Sequence, residues 1–315
     1  MVISRTGVAR ALILALAFTS VVALAFALAM PMDPGEETME ASLGRPTASA
    51  ASQSPAGAAQ DGPGSAGGAE AIALAAKSGD IPASRDKGAS VVILDYHTFL
   101  GKKGDNLDFA PAELAAQLDA MSALGYRFVA LEDAIEGRIS GRANIAITID
   151  DGNHSVYRAW KEVLEPRGIR PTLFIYPAIV LSRQPFALTP DQVGELSRDG
   201  CSIGAHGYNH NPVSDKTWEK SRKSYWNEIA LPAQAIAGIT GLVPALYAYP
   251  FGTASARAEK DLAAADYEWA FTADADFGPV DFAAPDLDRM AVHRTIVYRW
   301  NYARILKALA DNLKD

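Results

Sequence analysis

The chain has 315 residues, 49% of them apolar, and a formal net charge of −8. That is enough apolar material to bury a sizeable core in one or two domains, while an acidic balance without basic runs argues against nucleic acid as a partner. The single cysteine, Cys201, excludes an intrachain disulfide, so the fold must be held by its core alone; the residue itself reads as a small buried apolar group at a strand start.

Arg5 and Arg10 precede an uncharged apolar run over residues 11–30, followed by Pro31, Asp33 and several acids. This is the pattern of a secretion signal or a membrane anchor. Ala27-Leu28-Ala29 fits a small-x-small cleavage site, and the run is also long enough to span a bilayer, so residues 1–30 are either removed or retained. In both cases the arginines favour the cytoplasmic side and the rest is exported, to the periplasm, the extracellular space or the outer face of the cytoplasmic membrane. No Cys follows the run to accept a lipid. Contact with a membrane is expected only through an uncleaved segment. Residues 31–89 are dominated by Ala, Gly, Ser and Pro with scattered acids, a composition that cannot offset the entropy of ordering. They read as a disordered linker.

From residue 90 to 315 short apolar runs alternate with amphipathic stretches, the pattern of parallel strands joined by helices. Strands are expected at 91–96, 144–149, 172–176, 202–205, 245–249, 268–272 and 292–297. Between them Leu114, Leu118, Met121 and Leu124 recur at helical spacing over 111–124, and Gly125 closes that helix. Further helices are expected at 155–165, 190–198, 217–239, 254–265 and 301–312. Seven such units predict an α/β fold, a distorted (β/α)7 barrel with one unit fewer than the usual eight, whose catalytic groups gather at the C-terminal ends of the strands. His97, Asp150, Asp151, His206, Tyr249 and Phe251 all fall at those ends.

Asp150 and Asp151 close an apolar run in Thr148-Ile149-Asp150-Asp151-Gly152. Neighbours on a strand face opposite ways, so both could share a site only where the strand is ending, and Gly152 permits the sharp turn. One would then ligate a metal and the other act as general base. The alternative is a surface turn capping the next helix. His206 and His210 are four residues apart, a recognised metal-ligand spacing, or else a solvated pair. Two carboxylates and two imidazoles in successive strand-end loops supply three ligands and one spare carboxylate, the set needed for a metal that activates water.

Residues 91–297 resemble a polysaccharide deacetylase domain of NodB type, carbohydrate esterase family four. The resemblance rests on 117–128, which is similar to the helix and turn before the family's first motif, and on Thr148–Gly152 as the first motif. Gly200-Cys201-Ser202-Ile203-Gly204-Ala205-His206-Gly207-Tyr208-Asn209-His210 resembles the second, and Tyr249-Pro250-Phe251-Gly252 the core of the third. It implies that Asp150 is the catalytic base and that Asp151, His206 and His210 hold a divalent metal, zinc above all. It also implies that the backbone N–H of Phe251, beside Tyr249, helps hold the oxyanion.

Two departures stand out. Many members have an Arg two residues before the motif-three Pro to orient the base, and this chain has Ala248 there; lacking that cation, Asp150 is expected to titrate higher than in Arg-containing members. The fifth motif, source of the acid that protonates the leaving amine, is only approximated by Ala291-Val292-His293. His293 is the first candidate for that acid and His97, in Leu94-Asp95-Tyr96-His97, its rival, while each could equally be a strand-end histidine with a hydrogen-bonding role. His154 is expected to be solvated.

The implied substrate is an acetylated cell-envelope or extracellular polysaccharide of N-acetylglucosamine type; Tyr208, Trp226, Tyr249, Trp269 and Phe277 are available as aromatic faces for sugar rings, although aromatics near strand ends are more often core. O-deacetylation of a xylan-type glycan is the alternative within hydrolases. A non-catalytic glycan-binding domain is the alternative outside them.

Overall fold

Apolar runs become strands where the alternation places them, and the short connections add elements that periodicity cannot reveal. The computed structural model describes residues 88–314; the expected segment 1–30 and all but the end of the linker 31–89 lie outside the described residues. The strands are β1 (Val91–Tyr96), β2 (Arg127–Phe128), β3 (Asn144–Asp151), β4 (Thr172–Ile175), β5 (Ser202–Ala205), β6 (Leu246–Ala248), β7 (Trp269–Phe271), β8 (Pro279–Val280) and β9 (Thr295–Ile296). The helices are α1 (Pro111–Ala123), α2 (Leu131–Ile135), α3 (Ser155–Ala159), α4 (Pro177–Leu181), α5 (Pro190–Arg198), α6 (Asp215–Lys220), α7 (Arg222–Thr240), α8 (Ala256–Ala264) and α9 (Tyr302–Asn312). Among the described residues no helix is long and apolar enough to cross a membrane.

The sheet runs β7-β6-β5-β4-β3-β1 with every neighbouring pair parallel. Strand β9 lies parallel to the upper half of β1 through Leu94↔Thr295. Isolated parallel bridges Phe271↔Val292 and Asp274↔Thr295 tie the end of β7 to that same segment. The curled sheet thus comes round to its first strand, giving the expected seven-unit NodB-type barrel. Two pieces were not foreseen, because a two-residue strand has no period to read: β2 lies parallel to the start of β3, and β8 lies antiparallel to the start of β1.

Strand alternation sorts the side chains into two layers. The inward positions Val91, Ile93, Ala146, Phe174, Leu246, Ala248, Phe271 and Val292 form one buried cluster. The outward positions Val92, Leu94, Ile145, Ile147 and Leu173 pack against Leu114 and Leu118 of α1 and Ile305 and Leu309 of α9. Continuing the inward rows upward gives Asp95, Thr148, Asp150, His206 and Arg294, all buried. The barrel is therefore apolar at its base and polar at its C-terminal end.

Two helices depart from expectation for local reasons. The single helix expected over 217–239 is two, because Ser221 adopts an extended conformation (φ −162°) and its hydroxyl accepts the Ser224 N–H, capping α7. The helix expected over 155–165 gives way beyond Ala159 to a π-helical turn, then a 3-10 turn around Pro166 that ends on left-handed Gly168. The last expected strand, 292–297, contracts to β9 plus the bridge at Val292.

Phe174 fits inside the barrel only because position 204 carries no side chain. A Cβ there would stand 2.5 Å from two Phe174 ring carbons and 3.1 Å from the Leu246 carbonyl oxygen. Gly204→Ala is expected to destabilise the domain by about 1–3 kcal/mol, the usual cost of overpacking, read from the urea midpoint; a midpoint unchanged from wild type would show that the interior yields freely at this layer.

Candidate active site

Strand β3 carries both carboxylates to the mouth of the barrel. Asp150 continues the inward row of Ala146 and Thr148, so Asp151 would ordinarily face outward. Instead Asp151 has φ 76° and Gly152 φ 86°, and this left-handed pair turns Asp151 back toward the same end of the barrel. A Cβ on Gly152 would also crowd the Ile175 side chain at 3.3 Å.

Asp150 is held by Arg294, which is fully buried. Arg294 Nη1 donates to Oδ1 and Nη2 to Oδ2, both at 2.7 Å. The same guanidinium donates to Thr148 Oγ1 at 3.1 Å and to the Thr272 carbonyl at 3.3 Å. It also lies 3.5 Å from Asp95 Oδ1 and rests over the Phe174 ring at 5.0 Å. Burial alone would raise the Asp150 pKa, but Arg294 and then His206 outweigh it and hold the carboxyl below its ordinary value. The expectation for Asp150 rested on a missing cation, and that premise is corrected. The cation absent from position 248 arrives instead from position 294, next to the last strand, and Asp95 sits on its other side. Asp95, with one cation shared between two carboxylates, is pushed up by burial to about 7.

Asp151, His206 and His210 present one ligand atom each, all within 4.8 Å of one another. Asp151 Oδ1 lies 3.7 Å from His206 Nε2 and 3.3 Å from His210 Nε2. The Nδ1 of His206 sits 2.9 Å from the Ala248 carbonyl, and donation there leaves the lone pair of Nε2 facing the carboxylates. Asp151 Oδ1 is buried and accepts no hydrogen bond within the protein. Burial, then the neighbouring His206, lowers the His210 pKa and favours its neutral, ligating form. Two imidazoles and an unpartnered carboxylate oxygen converging on one point fit a divalent cation.

Sequence reasoning missed Glu228 on α7. It is fully buried and receives five N–H groups from the loop around the second histidine. Oε2 accepts from the backbone of Tyr208, Asn209 and Asn211 at 2.7, 2.9 and 3.3 Å. Oε1 accepts from the side-chain amides of Asn209 and Asn211 at 3.2 and 2.8 Å. The visible signal was an acid within the apolar stripe of Tyr225, Ile229, Pro232 and Ile236, where a solvated glutamate has no place.

The two candidate acids part company. His97 joins Asp95 and Asp150 in a second group whose polar atoms also lie within 4.8 Å. Its Nδ1 is 3.9 Å from Asp95 Oδ1. Burial disfavours its charge, but Asp95 and then the site carboxylates prevail and raise its pKa. His293 belongs to neither group. Arg294 points into the barrel, so its neighbour faces away, and His293 Nε2 lies 3.1 Å from the Asp276 carbonyl.

Phe251 is 63% exposed with φ 64°, its ring 4.7 Å from that of His210. Tyr249 is wholly buried, with its hydroxyl donating to the Met290 carbonyl at 2.8 Å, so it anchors the loop rather than offering a face to a ligand. Trp269 is likewise core. The exposed aromatic rings among the described residues are those of Phe186, Phe251 and Trp300. Cys201 is buried as expected, which pushes its thiol up to about 12. His154 is exposed.

A barrel mouth with paired carboxylates, two histidines and a buried arginine is a hydrolase architecture, and the comparisons give its class. Residues 138–270 match the polysaccharide deacetylase family model. Over that stretch the chain is similar to polysaccharide deacetylases. Its structure is similar to that of IcaB from Ammonifex degensii, at 23% identity and TM-score 0.60 over 71% of this chain and 99% of that one. It is also similar to the Streptococcus pyogenes deacetylase PplD in complex with acetate, at 19% identity and TM-score 0.60 over 70% and 98% of the two chains. The de-N-acetylase from Aggregatibacter actinomycetemcomitans aligns at 15% identity and TM-score 0.59, over 70% and 99%. No curated relative matches the chain in sequence.

Because Arg294 depresses the Asp150 pKa, Asp150 stays ionised to lower pH than a buried carboxyl alone would. Arg294→Gln is expected to move the acidic limb of the kcat/KM profile to higher pH. Arg294→Lys should move it less, because an ammonium keeps the charge although it cannot bond both carboxylate oxygens as a guanidinium does. A limb unmoved in both variants would show that the guanidinium does not hold Asp150 ionised.

Proposed function

We propose that the protein is a metal-dependent, exported deacetylase that removes N-acetyl groups from a cell-envelope or extracellular polysaccharide of N-acetylglucosamine type. The observation that carries this reading is the convergence of Asp151, His206 and His210 on one point beside Asp150, a carboxylate already paired with Arg294. The de-N-acetylase among its structural neighbours supports the amide as the bond cut. Export rests on the composition of residues 1–30.

Asp151, His206 and His210 would hold the metal, zinc by the chemistry of the donor set. When bound, a divalent cation supplies Lewis acidity that polarises an acetyl carbonyl and acidifies water. Asp150, with Oδ2 3.6 Å from His206 Nε2, stands where it can take the proton of the attacking water. The backbone N–H of Phe251 would donate to the tetrahedral oxyanion. His97 is the better placed acid: it shares the barrel mouth with Asp150, and the carboxylates around it favour its protonated form. It would deliver that proton to the departing amine nitrogen. Arg294 also weakens the non-catalytic reading, since it supplies a cation beside Asp150, while the merely approximate fifth motif at Ala291-Val292-His293 is unaffected by it.

The test is acetate release by the full-length protein, zinc-loaded and chelated, from N-acetylated chitooligosaccharide, poly-N-acetylglucosamine, peptidoglycan and acetylated xylan. Zinc-dependent release from one of the first three, lowered about 10²- to 10⁴-fold by Asp150→Asn, is expected. His97→Ala should lower turnover at full metal content and His293→Ala should not. Release from xylan alone would replace the amide with an ester, and release indifferent to chelation would overturn the metal reading.

A further inference from the structure

The second histidine of the cluster lies on a loop that cannot hold its own shape. His210 has φ 61° and Gly207 φ 69°, and a non-glycine residue in the left-handed region persists only when its surroundings impose it. The backbone N–H groups of Tyr208, Asn209 and Asn211 all turn to the inside of the loop, where burial without an acceptor would cost each its hydrogen bond with water.

From this we infer that Glu228 is a positioning residue for the metal site, its carboxylate serving as the core around which residues 207–211 wind so that His210 Nε2 meets Asp151. The three backbone and two amide donors engage both oxygens. Close approach is built in, since a Cβ on Gly207 would stand 2.6 Å from Glu228 Oε2. The loop is gripped by the carboxylate within and by rings outside it: His210 packs against Phe251 at 4.7 Å and Tyr176 at 5.2 Å. Glu228 is not among the residues that converge on the metal point. Its negative charge has no side-chain cation among its hydrogen-bond partners; it is met by N–H dipoles alone. Its effect should therefore appear in metal affinity and not in the chemical step.

This inference rests on the metal reading above, and the experiment separates the two. Zinc affinity of the full-length protein is measured by competition with a chromogenic chelator for wild type, Glu228→Gln and His210→Ala, with the thermal midpoint of each metal-free form. Glu228→Gln replaces one acceptor oxygen with a donor facing N–H groups. It is expected to weaken zinc about 10- to 100-fold, as loss of an outer partner does, and to regain its turnover when zinc is raised to saturation. Asn211→Ala, which deletes one donor and leaves the carboxylate, is expected to weaken zinc about twofold to tenfold and serves if Glu228→Gln does not fold. Zinc affinity within about threefold of wild type in Glu228→Gln overturns the inference, the usual outer-partner effect being at least about tenfold. A wild type that takes up no zinc at all overturns the metal reading first.

Discussion

Everything at the mouth of this barrel depends on one buried ion pair. A carboxylate and a guanidinium removed from water survive only if each answers the other and their remaining lone pairs and protons are satisfied, and Asp150 and Arg294 meet that demand face to face. The rest of the interior is arranged to make it possible. Phe174 lies under the guanidinium, the empty side of Gly204 gives that ring its room, and Thr148 and the Thr272 carbonyl take further N–H groups. Asp95 flanks the pair from β1, so one cation serves two acids, and the second is the one driven toward protonation.

Around this fixed charge the candidate site residues sit on backbone that is not relaxed. Of the five non-glycine residues with positive φ among those described, Asp151, His210 and Phe251 lie at the candidate site, and strained backbone tends to cluster in functional regions. Each is held differently. Asp151 shares its turn with Gly152, the His210 loop winds around Glu228, and Phe251 precedes Gly252, where a Cβ would strike the Ala273 carbonyl oxygen. A rigid sheet delivers Asp150 and His206, while short strained loops deliver the groups whose direction must deviate from the strands.

Much of this is legible in the sequence. The inward and outward rows follow from period-two alternation, so β1 and β5 have the bounds expected of them, and the polar residues expected at strand ends do gather at one end of the barrel. What fails does so for identifiable reasons. A helix over 217–239 reads straight through Ser221 because apolar periodicity continues across it while the serine starts a new cap. Tyr249 and Trp269 resemble sugar-stacking faces because an aromatic at a strand end looks the same whether it points outward or into the core. Motif position favours His293 over His97, and strand alternation turns His293 away by the same rule that turns Arg294 in.

The sequence by itself determined the chemistry available: where the longer strands form, that two carboxylates end one of them, and that two histidines follow at ligand spacing. These are local properties, carried by periodicity and by residues a few positions apart. Only the tertiary structure decided which cation holds Asp150, which histidine stands beside it, and what supports the loop that carries His210. Arg294 lies 144 residues from Asp150, and Glu228 lies 17 to 20 residues from the loop groups it binds. Such pairings have no spacing rule. They exist because closing the sheet brings remote strands to one interior, where burial makes every unpaired charge and N–H find a partner.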